Sequence, residues 1–261
     1  MRLAWATDIH LNFLGAAQVA AFGAEVAALG ADAFVVSGDI AEAPSLVRLI
    51  ELCSEAAGLP MWFVLGNHDF YSGAVAPVRA AARAMDPERG VWLPAVDPLW
   101  LDTDTVLVGV DGWGDARLGD PWGTRVRLND FLAIEDLHSP DYEELILKLR
   151  ARGDEEARTA QRVLDAALAT NAKRIVFATH VPPFRGACWH EGAVSNDEWL
   201  PFFTCDAVGK VLERVAGRHP DRDILVLCGH THGAGELQVT DNLRVLTGAA
   251  EYGAPQVELV E

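Results

Sequence analysis

The sequence has no apolar run near the ~18 to 20 residues that a helix needs to cross a bilayer, so a helical membrane span is excluded. Its first residues, Met1-Arg2-Leu3-Ala4-Trp5, pass straight into an Asp-x-His pattern without a signal-like apolar core, and a cytoplasmic protein is expected. Cysteine is scarce: Cys53, Cys188, Cys205 and Cys228 are scattered with no CxxC pair. That spacing excludes a zinc knuckle or a redox motif, and reduced, buried thiols are expected. Positive charge is scarce as well, with 21 Lys and Arg against 38 Asp and Glu and a net charge of −17. Nucleic-acid affinity rests on cations that neutralise backbone phosphates, so long DNA or RNA is a poor partner. No internal repeat or low-complexity tract is present. With half of its residues hydrophobic, the chain has the means to bury a sizeable core, which excludes disorder.

Short β-like runs alternate with helical periods, the pattern of an α/β layer protein, and residues 1–261 read as a single domain. Strands are expected at Leu3 to Ala6, Ala33 to Ser37, Met61 to Leu65, Thr105 to Val110, Arg174 to Thr179 and Ile224 to Cys228. Between them run apolar stripes stepping by three or four residues: Val19, Phe22, Val26 and Leu29, then Leu46, Leu49, Ile50 and Cys53. Later helices carry Val163, Leu164, Ala167 and Leu168, then Val208, Val211, Leu212 and Val215, and strand-like pieces at Leu243 to Thr247 and Val257 to Val260 close the chain. Residues 111 to about 152 break the rhythm with a glycine-rich opening, then turn helical after Ser139-Pro140, an expected N-cap followed by proline. A segment of this length without its own core reads as an insertion, and a lid over the site is its expected role.

Residues able to bind metal recur at the strand ends. Asp8 and His10 follow the first strand, Asp39 the second, Asn67 and His68 the third, His180 the fifth, and His230 and His232 the sixth. Ligands in wound sheets gather at the carboxyl ends of strands, so these residues converge on one rim. In extended backbone, residues two apart point the same way, so Asp8 and His10 form one grip, and His230 and His232 another. Imidazoles mixed with carboxylates and an amide oxygen suit Zn, Fe or Mn, with Mg also open, and the lack of thiolate argues against a structural zinc.

The series Asp8-Ile9-His10, Gly38-Asp39, Gly66-Asn67-His68-Asp69, Thr179-His180 and Gly229-His230-Thr231-His232 is similar to the five signature motifs of the calcineurin-like metallophosphoesterase superfamily. The resemblance implies a four-layer α/β/β/α sandwich with a two-metal site at one edge and, here, a lid-like insertion. It implies that Asp8, His10 and His232 hold one metal ion, that Asn67, His180 and His230 hold the other, and that Asp39 bridges them. His68 matches the family's non-ligand histidine, a general acid or charge stabiliser near the leaving group. The family often tunes that histidine with an aspartate three residues beyond the bridging one, where this chain has Glu42. Two cations held together supply Lewis acidity and a nucleophile at neutral pH, and they outweigh Asp8 and Asp39 locally, so an anionic ester is attracted despite the acidic surface.

The expected activity is therefore dinuclear metal-dependent hydrolysis of a small-molecule phosphate ester, by phosphatase or phosphodiesterase chemistry. The alternatives are a nuclease, which the charge disfavours, and a catalytically silent scaffold on the same fold, disfavoured by the complete motif set. Tryptophan can stack or close over apolar groups and arginine forks onto phosphate, so Trp113, Arg117, Trp122, Arg125, Arg185, Trp189 and His190 are the candidate substrate contacts.

Overall fold

A computed structural model describes residues 2–260. In chain order the regular elements are β1 (Leu3–Ala6), α1 (Ala16–Ala28), β2 (Ala33–Ser37), α2 (Leu46–Ala57), β3 (Met61–Val64), α3 (Val75–Arg83), β4 (Gly90–Trp92), β5 (Leu99–Trp100) and β6 (Thr105–Gly109). There follow α4 (Asp130–Ala133), α5 (Tyr142–Leu168), β7 (Arg174–Ala178), β8 (Trp189–His190), β9 (Ala193–Val194) and α6 (Leu200–Phe203). The chain ends with α7 (Asp206–Arg218), β10 (Asp223–Cys228), β11 (Gly235–Thr240), β12 (Leu243–Thr247) and β13 (Glu258–Val260).

Two sheets result, one ordered β13-β1-β2-β3-β4 and the other β11-β12-β10-β7-β6-β5, with β8 and β9 as a separate small hairpin. Their central strands pair in parallel and only the edge strands β13, β11 and β5 run antiparallel. Alternation along each strand assigns the layers. Leu3, Trp5, Ala33, Val35 and Val64 point between the sheets, against Leu107, Val176, Ala178, Leu225 and Leu227. The intervening Ala4, Phe34, Val36 and Phe63 face the opposite way, onto Val19, Phe22, Val26 and Ile50 of α1 and α2. On the far side Val106, Val108, Ile175, Phe177 and Val226 meet Val163, Leu164, Val208 and Leu212 of α5 and α7. The order is thus α/β/β/α, and because both faces of every central strand are buried, those strands read as continuous apolar runs.

Two sequence expectations change here. The helical signals near Ser139 and near Val163 belong to one helix of 27 residues, α5, whose cap is Asp141, the acceptor for Glu143 N, and not Ser139. Ser139 instead donates its hydroxyl to the Asp141 carbonyl and to Glu144. The stretch 111–152 is also built into the body of the fold: Trp113, Phe131, Leu145, Ile146 and Leu149 all pack in the core beside α1 to α3. Asp111, just past β6, ties the two sheets together, accepting from Leu65 N at 2.9 Å, Trp92 Nε1 at 2.8 Å and Arg79 Nε at 2.9 Å. All four cysteines are buried and unpaired, and no helix among the described residues is long and apolar enough to cross a membrane.

Candidate metal centre

The loops after β1, β2 and β3 of the first sheet and after β7 and β10 of the second meet at one edge of the sandwich. They bring Asp8, His10, Asp39, Asn67, His68, His180, His230 and His232 together, most of them buried. The backbone there is not extended, which corrects the simple alternation argument for the two Asp/His and His/His pairs. Asp8, His10, Asp39, His230 and His232 have φ of 50°, 40°, 53°, 69° and 58°, the left-handed region that non-glycine residues avoid. Such residues cost about 1–3 kcal/mol each and persist where surrounding structure imposes them. The turning backbone also separates the last two histidines: His232 lies with Asp8 and His10, whereas His230 lies with Asp39 and His180.

The motif glycines make this crowding possible. A Cβ on Gly66 would fall on the Asp39 carboxylate, and one on Gly229 on Thr7 and the Asp8 carboxylate. Asp69 holds the same loops in register, accepting from Ile40 N and Ala41 N at 2.8 Å each and from Gly66 N at 2.7 Å.

Two overlapping sets of donors result. On one side His232 Nε2 is 3.3 Å from Asp8 Oδ1 and 3.4 Å from His10 Nε2. On the other, His180 Nε2 is 3.3 Å from Asp39 Oδ1, 3.1 Å from Asn67 Oδ1 and 3.3 Å from His230 Nδ1, which itself lies 2.9 Å from Asn67 Oδ1. Two of these rings are oriented from behind by main-chain carbonyls, His180 Nδ1 donating to Ser37 O at 2.9 Å and His230 Nε2 to Phe202 O at 3.1 Å. That leaves His180 Nε2, His230 Nδ1 and Asn67 Oδ1 aimed at one another as acceptors. Such a cluster is stable only with positive charge among its members, and a metal ion satisfies it; the donor set fits the cations that imidazole, carboxylate and amide oxygen bind.

A proton on His180 satisfies the cluster when no metal does. Burial works against a charged His180 ring, but the Asp39 carboxylate and then Asp8 outweigh it and push the ring up to about 10. Burial likewise opposes ionised Asp39, yet His180 and His68 hold its carboxyl well below the usual range. His230 is pushed down to about 3 by burial and by charge on His180, and His10 to about 4 chiefly by burial.

Asp130, which the sequence reading passed over, completes the centre. This buried carboxylate accepts from Asn67 Nδ2 at 2.9 Å, which turns the amide oxygen toward the histidines, and from Tyr71 OH at 2.6 Å. Tyr71 in turn stacks on His68, ring centroids 4.2 Å apart. The signal for Asp130 was only a lone acid inside an irregular stretch. His68 Nε2 lies 4.0 Å from Asp39 Oδ2, and its Nδ1 is buried without a hydrogen-bond partner. Glu42 does not fill that vacancy: its recorded side-chain partner is Asn12 Nδ2, at 3.5 Å, although it lines the cleft next to His68.

Of the candidate substrate contacts, only His190 lines the cleft over the donors, its Nδ1 donating to Thr231 O at 2.9 Å. Trp113 is a core residue packed on Phe70, Trp122 is exposed beside Tyr142, and the Trp189 indole lies against Gly235. Arg117 is engaged by Asp115 and Asp154, Arg185 by Asp197, and Arg125 is exposed on the 111–129 stretch away from the cleft lining. Acidic neighbours claim Arg117 and Arg185 and packing claims Trp113 and Trp189, while Trp122 and Arg125 stand on the surface away from the cleft.

The profile of the calcineurin-like phosphoesterases matches residues 1–234. The chain belongs to that family. No curated protein matches this family member. Among solved structures it is similar to a phosphopantetheinyl hydrolase from Mycobacterium tuberculosis, at 16% identity and a TM-score of 0.61, covering 95% of this chain and 89% of the other. It is also similar to a dimetal phosphatase from Danio rerio, at 11% identity and a TM-score of 0.59, covering 95% and 87%. At these identities the likeness is one of fold.

Two predictions follow from the centre's electrostatics and its supports. Metal loading displaces the proton that His180 carries below about pH 10, so apparent affinity rises with pH through the neutral range. His232, lowered by burial but raised further by its bond to Asp8, adds to the dependence in the same direction. Calorimetric titration in buffers of different ionisation enthalpy measures this; zero proton release at pH 8 would refute a protonated His180 in the metal-free centre. Asp130→Ala frees both Asn67 and Tyr71 and should lower metal affinity or turnover about 10- to 100-fold. Unchanged metal content and kcat would remove Asp130 from the centre.

Proposed function

We propose that this family member is a dinuclear metal-dependent hydrolase of small phosphate esters. The observation that carries the reading is the position of Asp39, whose carboxylate belongs to two donor groups at once, one with His10 and His68, the other with His180 and His230. Asp8, His10 and His232 then hold one ion, Asn67, His180 and His230 the other, and Asp39 serves both. Mn, Fe and Zn suit these donors best, with Mg less favoured by so many imidazoles. When bound, the pair supplies Lewis acidity to the phosphoryl oxygens and lowers the pKa of the attacking water.

The chain's own residues do the rest. Asn67 is oriented by Asp130 and the His180 and His230 rings by main-chain carbonyls, so the donors need little rearrangement when the ester binds. His68 stands on the cleft wall, clamped by Tyr71 behind it and by the His10 ring 4.7 Å away, and holds a proton for the leaving oxygen. Asp39 Oδ2 stands 4.0 Å from His68 Nε2, on the side of the metal donors. Residues 111–152 act in this reading as a fixed wall that delivers Leu128, Asn129 and Asp130 to the cleft. A reducing, cytoplasmic setting accords with four buried, unpaired thiols.

After metal stripping, Mn, Fe, Zn or Mg added back singly should restore cleavage of p-nitrophenyl phosphate or bis-p-nitrophenyl phosphate. Absence of turnover in a protein carrying two ions would favour a silent scaffold. His68→Ala should lower kcat about 10²- to 10⁴-fold with both metals retained, and equal loss of metal would refute the acid role. Asp39→Ala should lose both ions; a variant with two metals and normal turnover would sink the bridging assignment.

A further inference from the structure

We infer that the cleft beside His68 receives an uncharged, hydrophobic leaving group, so that the substrate is the phosphate ester of an apolar alcohol or a phenol. This rests on the phosphoesterase reading above and names its substrate class. The cleft measures about 640 Å³ and is walled by Phe13, Glu42, His68, Tyr71, Leu132 and Tyr252.

Eight large hydrophobic side chains are exposed among the described residues, and three of them, Phe13 at 55%, Leu132 at 82% and Tyr252 at 52%, line this one cleft. They come from segments remote in sequence: the turn after β1, helix α4, and the loop between β12 and β13. Apolar groups assembled in a concavity next to polar catalytic groups are the signature of a ligand site. The apolar wall reaches the metal centre itself. The Tyr252 ring lies 4.5 Å from His10, 5.0 Å from His232 and 5.2 Å from Phe13, centroid to centroid.

Charge excludes the anionic alternatives. Neither this cleft nor the adjoining one over the metal donors is lined by any Lys or Arg, and the charged side chains that do line them include Glu42, Asp39 and Asp130. The metal ions neutralise one phosphoryl group; a second phosphate or a carboxylate on the leaving group would face Glu42 with no counter-charge. The two clefts share His68, Tyr71, Asn129 and Tyr252. An ester seated at the metal donors with its leaving oxygen beside His68 therefore extends its organic part between Phe13, Tyr252 and Leu132. In the reaction the water oxygen bonds to phosphorus as the P–O bond to the alcohol breaks. The leaving oxygen takes the proton from His68, which is made good by the proton that water gives up, and the free alcohol departs.

The test uses the full metal-loaded chain and alkyl esters of similar leaving-group basicity: glycerol 1-phosphate, ethyl, hexyl and 3-phenylpropyl phosphates, each also as its methyl diester, with ADP alongside. We expect kcat/KM for the hexyl and phenylpropyl esters to exceed that for the glycerol ester by about 10- to 100-fold. Leu132→Asp, at a position exposed enough to leave folding intact, should cut the hexyl-to-glycerol ratio about tenfold, and Phe13→Ala should act in the same direction. Turnover with equal kcat/KM across the panel, preference for ADP, or a ratio unmoved in both variants would overturn the apolar leaving-group site while leaving the phosphoesterase reading intact. No turnover of any ester with any metal would overturn both.

Discussion

Around Asp39 the structure gathers more hydrogen-bond acceptors than neutral chemistry tolerates. The two rear carbonyls turn His180 and His230 so that their free nitrogens face each other and the Asn67 amide oxygen, all within 3.3 Å. Positive charge relieves such an arrangement, and a proton on His180 or a metal ion would supply it. Much of the local architecture exists to hold this unfavourable cluster in place: five donors in left-handed backbone, glycines where a Cβ would strike a carboxylate, and Asp69 stitching two loops by accepting three hydrogen bonds from backbone amides.

That requirement explains why two sheets are needed. Asp8, Asp39 and Asn67 leave the first sheet, and His180 and the two later histidines leave the second, so the centre lies across the seam of the sandwich. The inter-sheet layer of Leu3, Trp5, Val35, Leu107, Val176 and Leu225 fixes the spacing of the two rims. Close-packed interiors transmit small displacements, so donors matched to a few tenths of an ångström depend on residues far from any ion. Asp111 joins in from beneath, its carboxylate accepting from the first sheet at Leu65 N and Trp92 Nε1 while its carbonyl accepts from His180 N of the second at 2.7 Å.

A net charge of −17 and a site for an anionic ester are compatible because the two act at different ranges. Surface carboxylates are screened within about 10 Å at 0.1 M salt, whereas bound ions act at contact in a buried pocket. The same acidity has emptied the cleft of arginine: Arg117 and Arg185 are drawn to Asp115, Asp154 and Asp197. In the proposed reading the aromatic and aliphatic side chains of Phe13, Leu132 and Tyr252 would then set specificity by shape.

The sequence by itself determined the layers and which residues gather at the centre. Parallel strands buried on both faces leave apolar runs, helices leave stripes at steps of three and four, and donors required at strand ends leave motifs such as Gly66-Asn67-His68-Asp69. These are local signals, each carried within a few adjacent residues. Orientation and partnership were decided by the tertiary structure alone. Trp113 went to the core, Glu42 to Asn12, and Asp130, Phe13, Leu132 and Tyr252 to the centre and its cleft, none of them marked by a neighbour in sequence. A side chain's role there depends on which residues arrive from other strands and loops, and a one-dimensional pattern holds no record of that arrival.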